Sequence, residues 1–494
     1  MTLALVAGVD TSTQSCKVEL YTLEGERVAG ASAAHPPVAP PRSEQDPRAW
    51  WSAFVEAFRG ALDEARVRAG DRGELEVRAI AVGGQCHGLV ALDGRGEVIR
   101  DAKLWNDTTS TPELEALLDE IGADRMLERV GTLPTAAFTL SKVAWLRAHE
   151  PENFAAMRHM LLPHDYLGYR LTGRMATDRS EASGTAYFDA VNNRYLLEHL
   201  EIIDGGKDWA AMLPEVLPPE GVTGVVTPQA AAELGILPGA TVTAGGGDQH
   251  VSALGLGISE GELVFSLGTS GVVFTTTDQP VRDRSGAVDC VANLTGGFLP
   301  LSSTLNAAKT TDTFARLMGV DHDGLSALAL AAGDDGPVLA AYLDGERTPN
   351  RPDATGLLAD LTTSTSREEI ARAAYEGVVF GLVFGMRQME RVGVPVGGAV
   401  TVIGGGSRSP AYTQLIADAV GRPVQTVDVP EAVTRGAAVQ AAAVLTGTTV
   451  AEKAAAWRPP GRVVAEPRPG AHAARYERYL EVASCTELDR SRSR

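Results

Sequence analysis

Residues 241–271, TVTAGGGDQHVSALGLGISEGELVFSLGTSG, carry the pattern on which the architecture turns. A short β-type run at 241–244 breaks into Gly245, Gly246 and Gly247. An acid, Asp248, follows at the start of a helical pattern with Val251, Leu254 and Leu256 as its apolar positions. Gly255 and Gly257 are predicted to stop that helix. A new strand over 262–266 then enters a second tight turn, Gly268-Thr269-Ser270-Gly271. Glycine removes the side chain where a backbone must turn sharply or let a ligand approach. With a carboxylate on one turn and hydroxyls on the other, the stretch has the layout of an acid facing a phosphate cradle. Plainer readings stand beside this one: Asp248 as a helix N-cap, and 268–271 as an ordinary hairpin turn.

The rest of the chain repeats this design. A strand over 3–9 ends at Asp10-Thr11-Ser12-Thr13, and a run over 16–23 with a turn at Glu24-Gly25-Glu26 makes a hairpin and then a third strand. Residues 262–276 show the same order of strand, small polar turn and strand, half a chain later, which predicts an internal duplication rather than a short repeat. Strands over 77–82 and 399–403 end, like 241–244, in glycine runs: Gly83-Gly84 and Gly404-Gly405-Gly406. Helical patterns lie between them. Asp46 is a predicted N-cap with Pro47 at the first helical position, opening a helix with Trp50, Trp51, Phe54 and Phe58 on one face. Ser366 and Glu369 form a predicted capping box for a long helix. Its Gly377, Gly381 and Gly385 cost about 1 kcal/mol each and call for another backbone packed against that stripe. Residues 214–224, rich in Pro and Gly, read as a linker.

Strands alternating with helices predict an α/β fold, whose ligands collect at the carboxyl ends of strands. The expected architecture is two α/β domains facing each other across a central cleft. Residues 1–255 would form the first of these and 256–450 the second. Residues 451–494 would add an amphipathic helix near 475–482 and a loose polar end.

At 494 residues the chain exceeds a single core. A net charge of −19 argues against nucleic acid or an anionic membrane as partner. Cys16, Cys86, Cys290 and Cys485 are far apart and form no CxxC, so neither a disulfide framework nor a zinc site is expected. The stretch MTLALVAGVD lacks the basic region of a signal peptide, and no run of 18 apolar residues occurs. The expectation is a soluble cytoplasmic protein.

Eight motifs in order carry a resemblance. They are Asp10-x-x-Thr13 with Lys17, Ser43-Glu44-Gln45-Asp46-Pro47 before Trp50-Trp51, Gln85-Cys86-His87-Gly88, and Leu104-Trp105-Asn106-Asp107. Gly245-Gly246-Gly247-Asp248, Ser266-Leu267-Gly268-Thr269-Ser270-Gly271, Gly345-Glu346-Arg347-Thr348-Pro349 and Gly404-Gly405-Gly406-Ser407 complete the set. The chain resembles the FGGY carbohydrate kinases over nearly its whole length. The resemblance implies two actin-like (ribonuclease H-type) domains, sugar-binding over 1–255 and nucleotide-binding over 256–450, with ATP, Mg²⁺ and transfer of the γ-phosphoryl group to a sugar hydroxyl. The implied acceptor is a pentulose, D-xylulose giving D-xylulose 5-phosphate, and a homodimer is one assembly to expect.

Carried over by position, Asp248 is the implied catalytic base, and Asp10 the acid at Mg²⁺ and the phosphates. Cys86, His87, Trp105 and Gln249 fall on the ketose. Thr13, Gly268, Thr269, Gly404 and Gly405 fall on the nucleotide side. Four positions depart from the family pattern: Ser12 stands for Gly, Cys86 for Met, Gln249 for Asn, and Thr108-Thr109 where an Arg is common. All but the first lie near the sugar. A kinase for another ketose or polyol, and a non-catalytic actin-like nucleotide-binding protein, remain alternatives.

The chemistry suits these residues. A sugar hydroxyl needs a carboxylate to take its proton, and amide dipoles at a helix N-terminus are expected to hold Asp248 ionised. Phosphoryl transfer otherwise needs positioning and charge neutralisation, which Asp10, Thr13 and the Gly268-Thr269 turn are expected to provide. No G-x-x-x-x-G-K-[ST] and no protein-kinase signature occurs. Gly255, Gly257 and Gly261 are candidate hinge positions for a closure that expels water.

Overall fold

A computed structural model describes residues 2–70, 74–470 and 472–485, so the expected loose end, 486–494, lies outside the described residues. The chain packs as two units. The first holds residues up to 258 together with 291–298 and 429–459. The second holds 259–290, 299–428 and the chain from 460 on.

In the first unit, β1 (Thr2–Thr11), β2 (Ser15–Thr22) and β3 (Arg27–Ala34) run antiparallel, and β4 (Glu74–Gly84) lies parallel to β1. With β5 (Val222–Val225) and β6 (Thr241–Thr243) the order is β5-β6-β4-β1-β2-β3. Side chains alternate across a strand, and both faces of β1 are covered. Leu5, Ala7 and Val9 pack with Trp50, Phe54 and Phe58 of the helix Pro47–Ala69. Val6 packs instead with Ala437, Ala438 and Ala441 of the helix Ala432–Thr446. The near-continuous apolar run that marks β1 in the sequence is the signature of this two-sided burial.

That second helix was expected in the nucleotide-binding domain, yet it belongs to the first unit. Its small residues let backbones touch. A Cβ on Gly436 would lie 1.8 Å from the Val251 carbonyl oxygen, and one on Gly8 would lie 1.8 Å from that of Thr434. The helix Val450–Ala456 stays with the first unit, while His472–Ala483 joins the second, so the described part of 451–494 is divided between the units. Nor is 214–224 a linker. It forms the strand Glu215–Leu217, paired with Ala176–Asp178, and the start of β5. The prolines, Pro214, Pro218 and Pro219, flank the paired residues 215–217, where no ladder donor is needed.

The second unit repeats the plan. Six strands of its sheet are β7 (Leu263–Leu267), β8 (Gly271–Phe274), β9 (Phe298–Thr304), β10 (Val400–Ile403), β11 (Val424–Val427) and β12 (Gly461–Ala465). Their order is β9-β8-β7-β10-β11-β12. Read from β3 in one sheet and from β9 in the other, the pairings are antiparallel, antiparallel, parallel, parallel and antiparallel in both. The duplication read from the two hairpins is therefore a duplication of whole sheets.

The predicted caps are present. Asp46 accepts from the Arg48 N–H with Pro47 at the helix start, and Ser366 and Glu369 bond each other's backbone N–H groups. Of the glycine stripe on the helix Arg367–Arg391, only Gly377 meets backbone, its Cβ position lying 2.6 Å from the Leu339 carbonyl oxygen. Gly385 faces the Ser302 side chain, and Gly381 has ordinary room. Among the described residues no helix is long and apolar enough to cross a membrane, and no disulfide joins the four cysteines.

Candidate active site

Register places the first acids. Asp10 lies level with Gly83 on β4, and Gly83 pairs on its other side with Gly246. Asp10 and the Gly246-Gly247 strand end are thus two strand spacings apart, roughly 10 Å, at the carboxyl edge of the sheet. Asp248 follows at once, as the first residue of the helix Asp248–Leu256, with Gly247 in the N-cap position. The N-cap reading of Asp248 is set aside, because Gly247 has the extended backbone of the N-cap and Asp248 is already inside the helix. Its Oδ1 accepts from the Gln249 N–H at 2.7 Å and from the Cys86 thiol at 3.4 Å.

The expectation that helix dipoles fix its charge needs correction. Burial, and then the Glu181 carboxylate, push the Asp248 pKa up to about 6. It is mostly ionised at pH 7, but it is a stronger base than an ordinary aspartate.

The residues expected on the sugar gather around Asp248. His87 has φ 64°, a left-handed conformation unusual for a side chain with a Cβ. Its backbone N–H donates to Glu181 Oε1 at 2.9 Å, and its Nδ1 lies 3.2 Å from the same oxygen. Its ring stacks on Phe138 with centroids 4.9 Å apart. The Trp105 indole N–H donates to Thr13 Oγ1 at 3.0 Å, and Thr13 donates to Gln85 Oε1 at 3.0 Å. Thr13, expected with the nucleotide, has its hydroxyl engaged in this Trp105–Gln85 chain. Gln249 is half-buried beside Asp248. Cys86 is held as a thiol, its pKa pushed well up by burial and by the charges of Glu181 and Asp248. Ser12, where the family pattern has glycine, is not among the residues with positive φ, so its Cβ costs the turn nothing.

Sequence reading missed the buried layer behind these groups. Glu181 has no exposed surface, and its pKa falls below the usual range because His87, His164 and His250 outweigh burial. Behind it, His164 sits 3.2 Å from Asp165 and 3.3 Å from Asp178. Burial opposes a charge on His164, yet these carboxylates hold its pKa up at about 9. No periodic pattern marks Glu181, which lies on a four-residue helix, Arg179–Ala182, capped by Asp178.

Asp10 is different in kind. Its Oδ1 is buried without a hydrogen-bond partner. Burial, then the Asp248 charge, raise its pKa to about 7 against the pull of Lys17, itself paired with Glu431 at 2.7 Å. An unpartnered, partly protonated carboxylate is a fit for a divalent cation.

In the second unit the expected nucleotide-side glycines come together. A cavity of about 580 Å³, within the usual range for small-molecule sites, is lined by Gly268, Thr269, Gly405, Gly406 and Tyr412 among others. Gly268, Thr269 and Gly405 are exposed. Gly404 shapes the turn instead of lining the cavity: its φ is 80°, and a Cβ there would lie 2.6 Å from the Leu267 carbonyl oxygen.

Of the hinge candidates, Gly255 lies inside the helix Asp248–Leu256, where a Cβ would come within 2.1 Å of the Ala432 carbonyl oxygen. It is a contact glycine, neither helix stop nor hinge. Gly257 and Gly261, at φ 62° and 77°, remain in the turn that follows.

Residues 5–255 match the N-terminal domain, and residues 263–445 the C-terminal domain, of the FGGY family of carbohydrate kinases. A xylulose kinase from Streptomyces rubiginosus is 40% identical over 92% of this chain and 90% of its own length. Another from Streptomyces coelicolor shares 40% over the same fractions. The crystal structure of xylulose kinase from Bifidobacterium adolescentis superposes with a TM-score of 0.83 at 37% identity, covering 97% of this chain and 99% of the other.

Proposed function

Since the chain belongs to the FGGY family of carbohydrate kinases, with two actin-like domains, we propose that it transfers the γ-phosphoryl group of ATP to D-xylulose, giving D-xylulose 5-phosphate. The observation that carries this reading is Asp248, a partly exposed carboxylate of raised basicity ringed by Cys86, His87 and Gln249. Relatives named xylulose kinase support the choice of sugar.

Asp248 is the general base. Both of its hydrogen bonds land on Oδ1, which leaves Oδ2 to take the proton of the attacking sugar hydroxyl. The oxygen then bonds phosphorus as the bond to the β-phosphate breaks and ADP leaves. His87, fixed by Glu181 and Phe138, and Trp105, fixed by Thr13, orient the ketose, with Cys86 and Gln249 completing its pocket. The cavity at Gly268, Thr269 and Gly405 receives the nucleotide, with Gly404 setting the turn beneath it. Asp10 would hold Mg²⁺, whose charge would offset that of the triphosphate. Cysteines without a disulfide and the net charge of −19 support a cytoplasmic setting without nucleic acid as partner.

The test is coupled ADP release over a panel of ketoses and polyols. D-xylulose should be preferred, and ADP release should require added sugar. Equal rates across the panel would remove the sugar assignment, and sugar-independent hydrolysis would favour a nucleotide-binding protein. Asp248→Asn should lower turnover by at least ~10²-fold while ATP still binds.

A further inference from the structure

We propose that Cys86, His87 and Glu181 form a binding site for one thiophilic divalent cation of the Zn²⁺ class, which the sugar and the ion occupy in competition. One ligand atom from each residue lies within 4.8 Å of the other two. Ligands of a tetrahedral zinc, held at about 2.0–2.3 Å, stand roughly 3.5 Å apart, so a contraction of about 1 Å closes the site.

The donors are already aimed. Glu181 is fully buried, and its Oε2 has no hydrogen-bond partner. The space it faces exists because residue 247 has no side chain: a Cβ on Gly247 would lie 2.7 Å from Cys86 Sγ and 2.9 Å from Glu181 Oε2. Glu181 Oε1 accepts the His87 backbone N–H and so fixes the second ligand. The His87 side chain is 17% exposed, which gives an ion an entry path and leaves a fourth position for water.

Sulfur and imidazole beside one carboxylate select a borderline-soft metal over Mg²⁺, which prefers all-oxygen sites. On binding, the Cys86 S–H bond breaks, the S–metal bond forms, and the proton passes to solvent, one per ion. Glu181 lies 94 residues from His87, so no ligand spacing in the sequence announces the site. Competition with the sugar rests on the kinase reading, whereas the binding does not.

The experiment titrates the full-length protein, free of nucleotide and sugar, with Co²⁺ as a spectroscopic substitute for Zn²⁺. The expected result is a thiolate-to-cobalt charge-transfer band that saturates at one equivalent, releases one proton per ion and is displaced by Zn²⁺. Cys86→Ala and Cys86→Ser should lose the band although Cys16, Cys290 and Cys485 remain. Glu181→Gln should weaken binding by at least ~10-fold, the lower end of the loss for even an outer-sphere partner. Circular dichroism and thermal melting confirm that each variant is folded. No band in the unaltered protein, or a band that survives in folded Cys86→Ala, overturns the site. D-xylulose should raise the apparent dissociation constant of Zn²⁺ in proportion to its own concentration, and an unchanged constant overturns the competition. A missing band leaves sugar-dependent ADP release standing, and a failed kinase assay leaves the band standing.

Discussion

Asp248 shows how one side chain acquires a task from its surroundings. An exposed aspartate is a weak base near neutrality. Burial and the neighbouring Glu181 carboxylate make its ionised form costlier, raising its pKa to about 6, nearer the value that serves proton abstraction at pH 7. The sign follows directly: the base is lost as pH falls through about 6, so kcat/KM for the sugar should drop on the acid side of that value. Glu181→Gln removes one of the two causes and should move this acid limb to lower pH. A limb that stays in place in the variant, read from the pH–rate profile, would mean that Glu181 does not tune the base. Glu181 also fixes the His87 backbone, so the same variant should raise KM for the sugar.

Among elements, the helix Ala432–Thr446 governs the first unit. Its alanines cover the face of β1 and β4 carrying Val6, Ala79 and Ala81. Its Gly436 and the facing Gly255 let it lie against the helix Asp248–Leu256 at backbone distance. This contact fixes the first turn of the helix that presents the base. Gly436→Val would drive a side chain into the Val251 carbonyl and force the helices apart, at a cost of about 1–3 kcal/mol. Thermal unfolding should show that loss. Gly397→Ala, where a Cβ meets nothing within 4 Å, should leave the melting temperature unchanged. Equal effects of the two substitutions would show that close approach at Gly436 matters little.

At the scale of the whole molecule, two sheets of one design are built from a chain that does not divide into contiguous halves. The first unit is complete only when 429–459 returns to it. Ala438→Glu with Ala442→Glu would bury uncompensated charge against the first sheet. In hydrogen exchange, amides of β1 and β4 should lose protection although the substitutions lie near the other end of the chain, while β7 and β10 keep theirs. Loss of protection confined to β7 and β10 would contradict the observed packing.

The sequence by itself determined the elements and their kinship. Apolar periodicity, caps and glycine-ended strands are local consequences of backbone sterics, so β1, the helix Pro47–Ala69 and the two matching hairpins were legible without coordinates, as were Asp10, His87 and Asp248 at strand ends. Only the tertiary structure decided which elements share a core and which side chains share a field. It gave the helix Ala432–Thr446 to the first unit, engaged Thr13 with Trp105, and set Glu181 behind Asp248 and Cys86. These are encounters between residues far apart in the chain, and burial and electrostatic coupling depend on distance in space, which no local pattern encodes.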